Sequence, residues 1–447
     1  MQLIDDFAAR AKKYFDANDQ SPVFPSPVSV AALKELNTPL QEESLQPQEV
    51  LSLLDSIGSP ATVRSSGGRY FGFVTGSSLP AAMSAKLLAT VWDQNNCLSV
   101  MSPIATTLEE IGSSWLIDLF GLSATTGVGF VTGATMANFT ALAAARHQLL
   151  KAEGWDAEAQ GLFHAPEIKM ITGGEVHVSL LKALNLVGFG RERIISVPAD
   201  EQGRMIVEKI PEINSPTIIC AQAGNVNTGA FDDVNAICDK VKNKNAWVHV
   251  DAAFGLWAAV SSEYKHLVKG IEKADSLGTD AHKWLNVPYD CGLVFVKNKN
   301  SLMQAMSSSA SYLPVFDTRE PFQYVPEMSR ETRGIPVWAA LKSLGKKGLA
   351  ELVERNCAQA RRFAERLQQA GFTILNDVVL NQVMVSFGDA DKTLKIIKAI
   401  QDDGNCWCGG TVWQNKTAMR ISVSSWATTD EDVERSINTM IRIANNI

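Results

Sequence analysis

Lys283 sits between His282 and Trp284 in the run Ser276-Leu-Gly-Thr-Asp-Ala-His-Lys-Trp-Leu-Asn-Val-Pro-Tyr-Asp-Cys-Gly292, which otherwise reads as a buried turn. A lysine there, rather than on a solvated helix face, suggests a desolvated amine of lowered pKa, the form that attacks a carbonyl to make a Schiff base. The plainer alternative is a lysine whose stem packs and whose head reaches water. Upstream, Asp251 lies near the end of the hydrophobic run AWVHVDA (246–252). A carboxylate in that position is costly to bury unless it meets a cation, and a protonated pyridine nitrogen is one such partner.

Three further stretches offer complementary chemistry. In Gly129-Phe-Val-Thr-Gly-Ala-Thr-Met-Ala-Asn138 a small-residue turn opens a helix, where backbone N–H groups and the Thr135 hydroxyl can cradle a phosphate. An ordinary cap by Thr132 or Thr135 explains the same residues, and the stretch is neither a dinucleotide fingerprint nor a Walker loop. His177, in Gly173-Gly-Glu-Val-His-Val-Ser179, could stack on a planar group or simply begin a helix. The amides and hydroxyl of Ala223-Gly-Asn-Val-Asn-Thr-Gly-Ala-Phe-Asp-Asp233 could reach a ring oxygen, with Asp232 or Asp233 capping the next helix.

Positioning these groups requires a sheet. Between Gly127 and Val296 short apolar runs at 168–172, 193–197, 217–222 and 246–252 alternate with helical or loop segments. Continuous apolar strands of this kind predict a mostly parallel sheet buried on both faces, with ligands beyond its carboxyl ends. The chemistry-bearing residues fall at those ends. After Gly334 a long helix, bent near Gly345 and Gly348, leads to an α+β region with strands QVMVSF and AMRISVSSW and helices at 390–403 and 429–446.

Ahead of the sheet, residues 1 to about 20 read as an amphipathic helix, and a Pro/Ser-rich link leads to short helical pieces at 30–57. Helices are expected from Pro80 to Asp93 and over 104–120. The chain thus divides into an N-terminal helical arm (1–60), a large cofactor-binding domain (61–345) and a small C-terminal α+β domain (346–447).

The composition, 447 residues with 46% hydrophobic and 20% charged, suits a globular protein with a large core. A net charge of -7 with no long Lys/Arg block argues against nucleic acid or anionic membrane as partners. There is no apolar run of ~18 residues and no secretory leader pattern. Seven dispersed cysteines point to reduced thiols in a cytoplasmic setting. Cys406 and Cys408 form the one close pair, and without a second pair no metal site is expected.

His177, HVDAAFG (249–255) and DAHKWLNVPYDCGLVFV (280–296) together closely resemble the pyridoxal-phosphate-dependent (group II) amino-acid decarboxylases, which include the glutamate, aromatic-amino-acid and histidine decarboxylases. The resemblance extends to RYFGFVTGSSLPAAMSAKLLATVWDQNN (69–96) and SPIATTLEEIGSSWLIDLFGL (102–122), covering roughly residues 60–350. It implies an α/β, aspartate-aminotransferase-like fold (fold type I) with a mostly parallel seven-stranded sheet. It also implies pyridoxal 5'-phosphate on Lys283, Asp251 at the pyridine nitrogen, His177 stacked on the ring and Ala253 on the opposite face. Ala134 and Thr135 would hold the phosphate, and His282 would support the lysine. Asn225 stands where relatives often have a threonine near the ring hydroxyl.

The implied reaction is decarboxylation of an L-amino acid to its amine. Another carbon–carbon lyase, an aldehyde-forming oxidative decarboxylase or an aminotransferase is the alternative. The resemblance further implies a homodimer with active sites at the interface. Arg420 is a candidate for the substrate carboxylate, against the plainer reading of a solvent-facing strand arginine, and Phe73 is a candidate wall of the substrate pocket. Two departures stand out. Asp280 replaces an asparagine that touches the phosphate in relatives, so Thr279 is expected to make that contact, with Asp280 turned to His282 or the backbone. The loop 310–335 does not align with the family's proton-donating tyrosine, leaving Tyr324 as the candidate acid, with Tyr312 the other tyrosine of that loop.

Overall fold

The computed structural model describes residues 2–307 and 319–447. The apolar runs become a seven-stranded sheet: β1 (Gly127–Val131), β2 (Lys169–Gly173), β3 (Ile194–Val197), β4 (Thr217–Gln222), β5 (Ala246–Asp251), β6 (Ser276–Asp280) and β7 (Gly292–Val296), in the order β1-β7-β6-β5-β4-β2-β3. β2 through β6 pair in parallel, and only β7 runs against its neighbours β1 and β6. The mostly parallel seven-stranded sheet is therefore as the sequence predicted. One edge differs from expectation: β3 is not buried on both faces and leaves Ile195 37% exposed, whereas the other edge strand, β1, is buried throughout.

Register places the chemistry. Gln222 of β4 lies opposite Asp251 of β5, and Asp251 lies opposite Gly278 of β6, so β4 and β5 finish level and β6 runs two residues further to Asp280. Apolar cores fill both faces of this sheet, and the helix Ala134–Ala152 packs across β5, β6 and β7. That helix starts directly after β1. Gly292 leaves room for that turn, since a Cβ there would lie 2.5 Å from the Gly133 Cα.

A second sheet, β8 (Thr373–Ile374), β9 (Gln382–Ser386), β10 (Gly409–Trp413) and β11 (Lys416–Ser422), is antiparallel in the order β10-β11-β9-β8. Helices Ala390–Asp403 and Asp430–Asn445 and the later part of Gly334–Gln369 enclose its core. The long helix breaks at Gly345 (φ 61°, ψ -179°), the first of the two glycines at which a bend was expected. The helix of residues 103–119 is where it was expected, begun by Pro103 and capped by the Ser102 hydroxyl. The N-terminal helix stops at Asp16, short of the expected 20.

Candidate active site

Lys283 lies in the turn after β6, and the loop Phe71–Leu79 lies on its backbone. Gly76 permits that approach, because a Cβ there would come within 1.8 Å of the Lys283 carbonyl oxygen. The Lys283 ammonium is 3.0 Å from Asp280 Oδ2 and its side chain is 19% exposed. It is thus paired, rather than merely desolvated as the sequence suggested. Asp280 Oδ1 accepts the Ala134 N–H at 2.6 Å and lies 3.4 Å from His282 Nε2. The expected turn of Asp280 toward His282 and the backbone is what the structure has, and the backbone amide is the one at the start of the helix Ala134–Ala152.

Asp251 ends β5 with 3% exposure. Its Oδ2 accepts from Asn138 Nδ2 at 3.0 Å and its Oδ1 from the Ala253 N–H at 3.2 Å. Burial pushes its carboxyl above the usual carboxylate range, opposed by the nearby charges of His177 and Lys283. His177 caps the helix Val178–Leu186: Nδ1 accepts the Ser179 N–H at 3.2 Å, which leaves the neutral ring's proton on Nε2. Burial lowers its pKa, Asp251 raises it, and Lys283 and Arg420 lower it further. The plain helix-start role and the proximity to Asp251 and Lys283 therefore coexist. His282 accepts the Cys291 N–H at 3.1 Å through Nδ1, and burial lowers its pKa.

Other candidates are brought in less closely. Thr279 is fully buried with its hydroxyl on the Ala253 carbonyl at 3.2 Å. Asn225 spends its oxygen on the Asn227 and Thr228 N–H groups at 2.8 and 3.2 Å and its amide on Gln222 Oε1 at 3.1 Å. It holds its own turn. Thr135 is the second residue of the helix Ala134–Ala152 and is half-buried.

Arg420, on β11, is half-buried, and no acid pairs with it among the described residues. Phe73 is 61% exposed and its ring lies 5.4 Å from that of Trp407, which also stacks on Tyr70 at 5.1 Å.

Tyr324, the expected loop acid, is packed into the core. It ends a short turn, Pro321–Tyr324, and is buried in the core beside β1, with the Arg319 guanidinium 3.7 Å over its ring. The edge-strand Gly129 makes room for the Tyr324 carbonyl. Tyr312 lies outside the described residues. Conversely, Tyr289 had no assigned role, yet its ring lies 4.3 Å from that of His282. Its place in the lysine run was the one available signal.

An amine, a buried carboxylate, an imidazole and the N–H groups of a helix start are the donor set that an aldehyde-bearing, phosphorylated pyridine requires. The turn at Gly133 keeps the cradle open, since a Cβ there would meet His282 Cε1 at 3.2 Å and Asp280 Oδ1 at 3.3 Å. The residues fit pyridoxal phosphate. Fold and site together define a fold type I pyridoxal-phosphate enzyme.

More narrowly, the chain belongs to the family of the pyridoxal-dependent decarboxylase conserved domain, whose model matches residues 31–387. It is 31% identical over 290 residues to the bovine (Bos taurus) acidic amino acid decarboxylase GADL1, a match covering 62% of this chain and 55% of that relative. The chain thus spans just over half the length of that relative. It is 26% identical over 468 residues to tryptophan decarboxylase 2 of Oryza sativa subsp. japonica, covering 96% and 90% of the two chains. Among solved structures, Oryza sativa TDC with PLP and tryptamine superposes with a TM-score of 0.92 at 20% identity, covering 100% of this chain and 97% of that one. Mouse CSAD superposes at 0.88 and 21% identity, covering 99% of each. At such identities the likeness establishes the fold.

Proposed function

We propose that this chain removes the carboxylate of an L-amino acid as carbon dioxide and releases the amine, acting as a carboxy-lyase. The observation behind the reading is that Asp280 pairs with Lys283 at 3.0 Å and with the helix-start N–H of Ala134 at 2.6 Å, while the buried Asp251 ends the adjacent strand β5. When bound, pyridoxal phosphate supplies an aldehyde for amines and an electron sink for the bond broken at Cα. Lys283 would supply the amine that holds the aldehyde. Asp251, nearly inaccessible to water, provides the anion for a protonated ring nitrogen. His177 and Ala253 would flank the ring, Ala134 and Thr135 would receive the phosphate, and His282 would back Lys283. Arg420, lacking an acidic partner among the described residues, is suited to a substrate carboxylate through its bidentate fork.

The substrate class stays at an L-amino acid. Tyr70, Phe73 and Trp407 offer aromatic surface, whereas the named relatives include decarboxylases of acidic amino acids and of tryptophan. Release of carbon dioxide with stoichiometric amine, measured across the common amino acids plus 2,4-diaminobutyrate, tests the reading. Aldehyde with ammonia, or amino transfer to a keto acid without carbon dioxide, would overturn it.

The reading extends to a cytoplasmic homodimer with active sites at the interface. Apolar side chains exposed along the N-terminal segments and the helix Pro80–Trp92, among them Val28 (79%), Leu40 (92%) and Val91 (71%), support burial against a second copy. All seven cysteines are free, in keeping with a reducing compartment. No described helix is long and apolar enough to cross a membrane. The three-part division at 60/61 and 345/346 belongs to the same reading.

A further inference from the structure

A row of buried polar side chains stands behind Asp251. Trp247, His249 and Asp251 alternate along β5 and project from one face of the sheet, the face packed by the helix Ala134–Ala152. Trp247 Nε1 donates to Ser276 Oγ at 2.8 Å, and that oxygen lies 2.9 Å from His249 Nδ1. His249 Nε2 is 3.0 Å from Asn138 Oδ1, and Asn138 Nδ2 donates to Asp251 Oδ2 at 3.0 Å. All five side chains are at most 4% exposed. Space for the row depends on Gly278, because a Cβ there would come within 2.7 Å of Asn138 Oδ1.

An indole N–H can only donate, and a carboxylate can only accept. The Asp251 carboxylate turns the Asn138 amide toward itself, the Asn138 carbonyl oxygen then requires a donor at His249 Nε2, and a neutral ring is left with an acceptor at Nδ1. Ser276, accepting from Trp247, gives its own proton to His249 Nδ1. Burial pushes the His249 pKa down to about 3, in keeping with a ring that stays neutral.

We infer that Trp247, Ser276, His249 and Asn138 form a one-way hydrogen-bond relay that positions Asp251 and keeps it the carboxylate facing the cofactor's ring nitrogen. The inference rests on the site reading above and adds four positioning residues to it. Reversal of any one link would leave two donors or two acceptors facing each other in a dry interior, so the links stand or fall together.

Two measurements test the relay. In the cofactor-free protein, nitrogen NMR of labelled histidine reports the His249 tautomer, its signal assigned by its loss in His249→Gln. A neutral ring protonated on Nε2 is expected, and a proton on Nδ1 or a cationic ring at neutral pH would overturn the relay without reference to the cofactor. In protein loaded with ring-15N pyridoxal phosphate, the ring-nitrogen signal should move in Asp251→Asn and, in the same direction but less, in Asn138→Ala and His249→Leu. The latter two should lose kcat on the order of tenfold at nearly constant KM. His249→Gln, which keeps one donor and one acceptor, should recover most of that loss. A signal that answers to Asp251→Asn but not to Asn138→Ala or His249→Leu sinks the relay alone. A signal indifferent to Asp251→Asn sinks the site reading beneath it.

Discussion

Asp280 Oδ1 holds the Ala134 N–H at 2.6 Å, so a carboxylate of the chain itself occupies the anion position at the start of the helix Ala134–Ala152. Its other oxygen holds the Lys283 ammonium at 3.0 Å. An arriving phosphate competes for the same amide and meets a like charge. Asp280→Asn should therefore tighten cofactor binding to the cofactor-free protein by about tenfold, or ~1.4 kcal/mol. Fluorescence titration with pyridoxal phosphate measures this, and weaker binding in the variant would show that Asp280 assists the phosphate instead.

Lys283→Ala should abolish turnover and also the covalent cofactor adduct that borohydride traps, read by intact mass. Asp251→Ala should keep part of the bound cofactor while losing about 10²- to 10³-fold in rate, the scale of removing one preorganised electrostatic partner. Near-normal turnover in the second variant would remove Asp251 from its assigned role.

Arg420→Ala should raise KM by roughly 10- to 100-fold if the guanidinium holds the substrate carboxylate, since charge-assisted hydrogen bonds contribute about 1.5–3 kcal/mol. Arg420→Lys should recover only part, because an ammonium lacks the planar fork. Steady-state kinetics at saturating cofactor separate this from a loss in kcat.

The neutral His249 predicts a pH dependence of stability. Its folded pKa, near 3, lies below its ordinary value of 6.5, so the unfolded chain takes up a proton that the folded chain does not. The contribution is fully present above pH 6.5 and declines as pH falls toward 3, by up to ~1.4 kcal/mol per pH unit. Asp232, buried and pushed up to about 6, acts in the opposite sense, its contribution being lost as pH rises from 3.8 through 6. Denaturant unfolding of wild type and His249→Gln across pH 4–7 isolates the histidine. The wild type should lose stability relative to the variant on acidification, and a pH-independent difference would exclude a neutral buried ring.

Tyr324→Phe should leave kcat within about twofold, because the ring packs in the core under Arg319 and the substitution keeps its volume. A loss of 10² or more, measured as carbon dioxide release, would place the phenol in the reaction after all.

Much of the architecture and many of the site's members were legible in the chain itself. Apolar runs of strand length marked β2, β4 and β5 to within a residue or so, because burial of parallel strands on both faces writes itself into local composition. Asp251, Lys283 and His177 drew attention as costly or reactive groups at the ends of such runs. The Ala134 amide followed from the small-residue turn that starts its helix.

What the linear chain could not reveal was where each polar atom spends its hydrogen bonds. Asn138 reaches Asp251 across 113 residues, and Ala134 reaches Asp280 across 146. Thr279 and Asn225 looked available until folding tied the first to the Ala253 carbonyl and the second to its own turn. Tyr324 looked like a loop acid until packing buried it. Composition and periodicity are local, so the sequence by itself determined the strands and the candidate groups at their ends. Partnering is a property of buried polar atoms brought together from distant segments. Only the tertiary structure decided that Asp280 sits on the Ala134 amide and that the neutral His249 stands in the row behind Asp251.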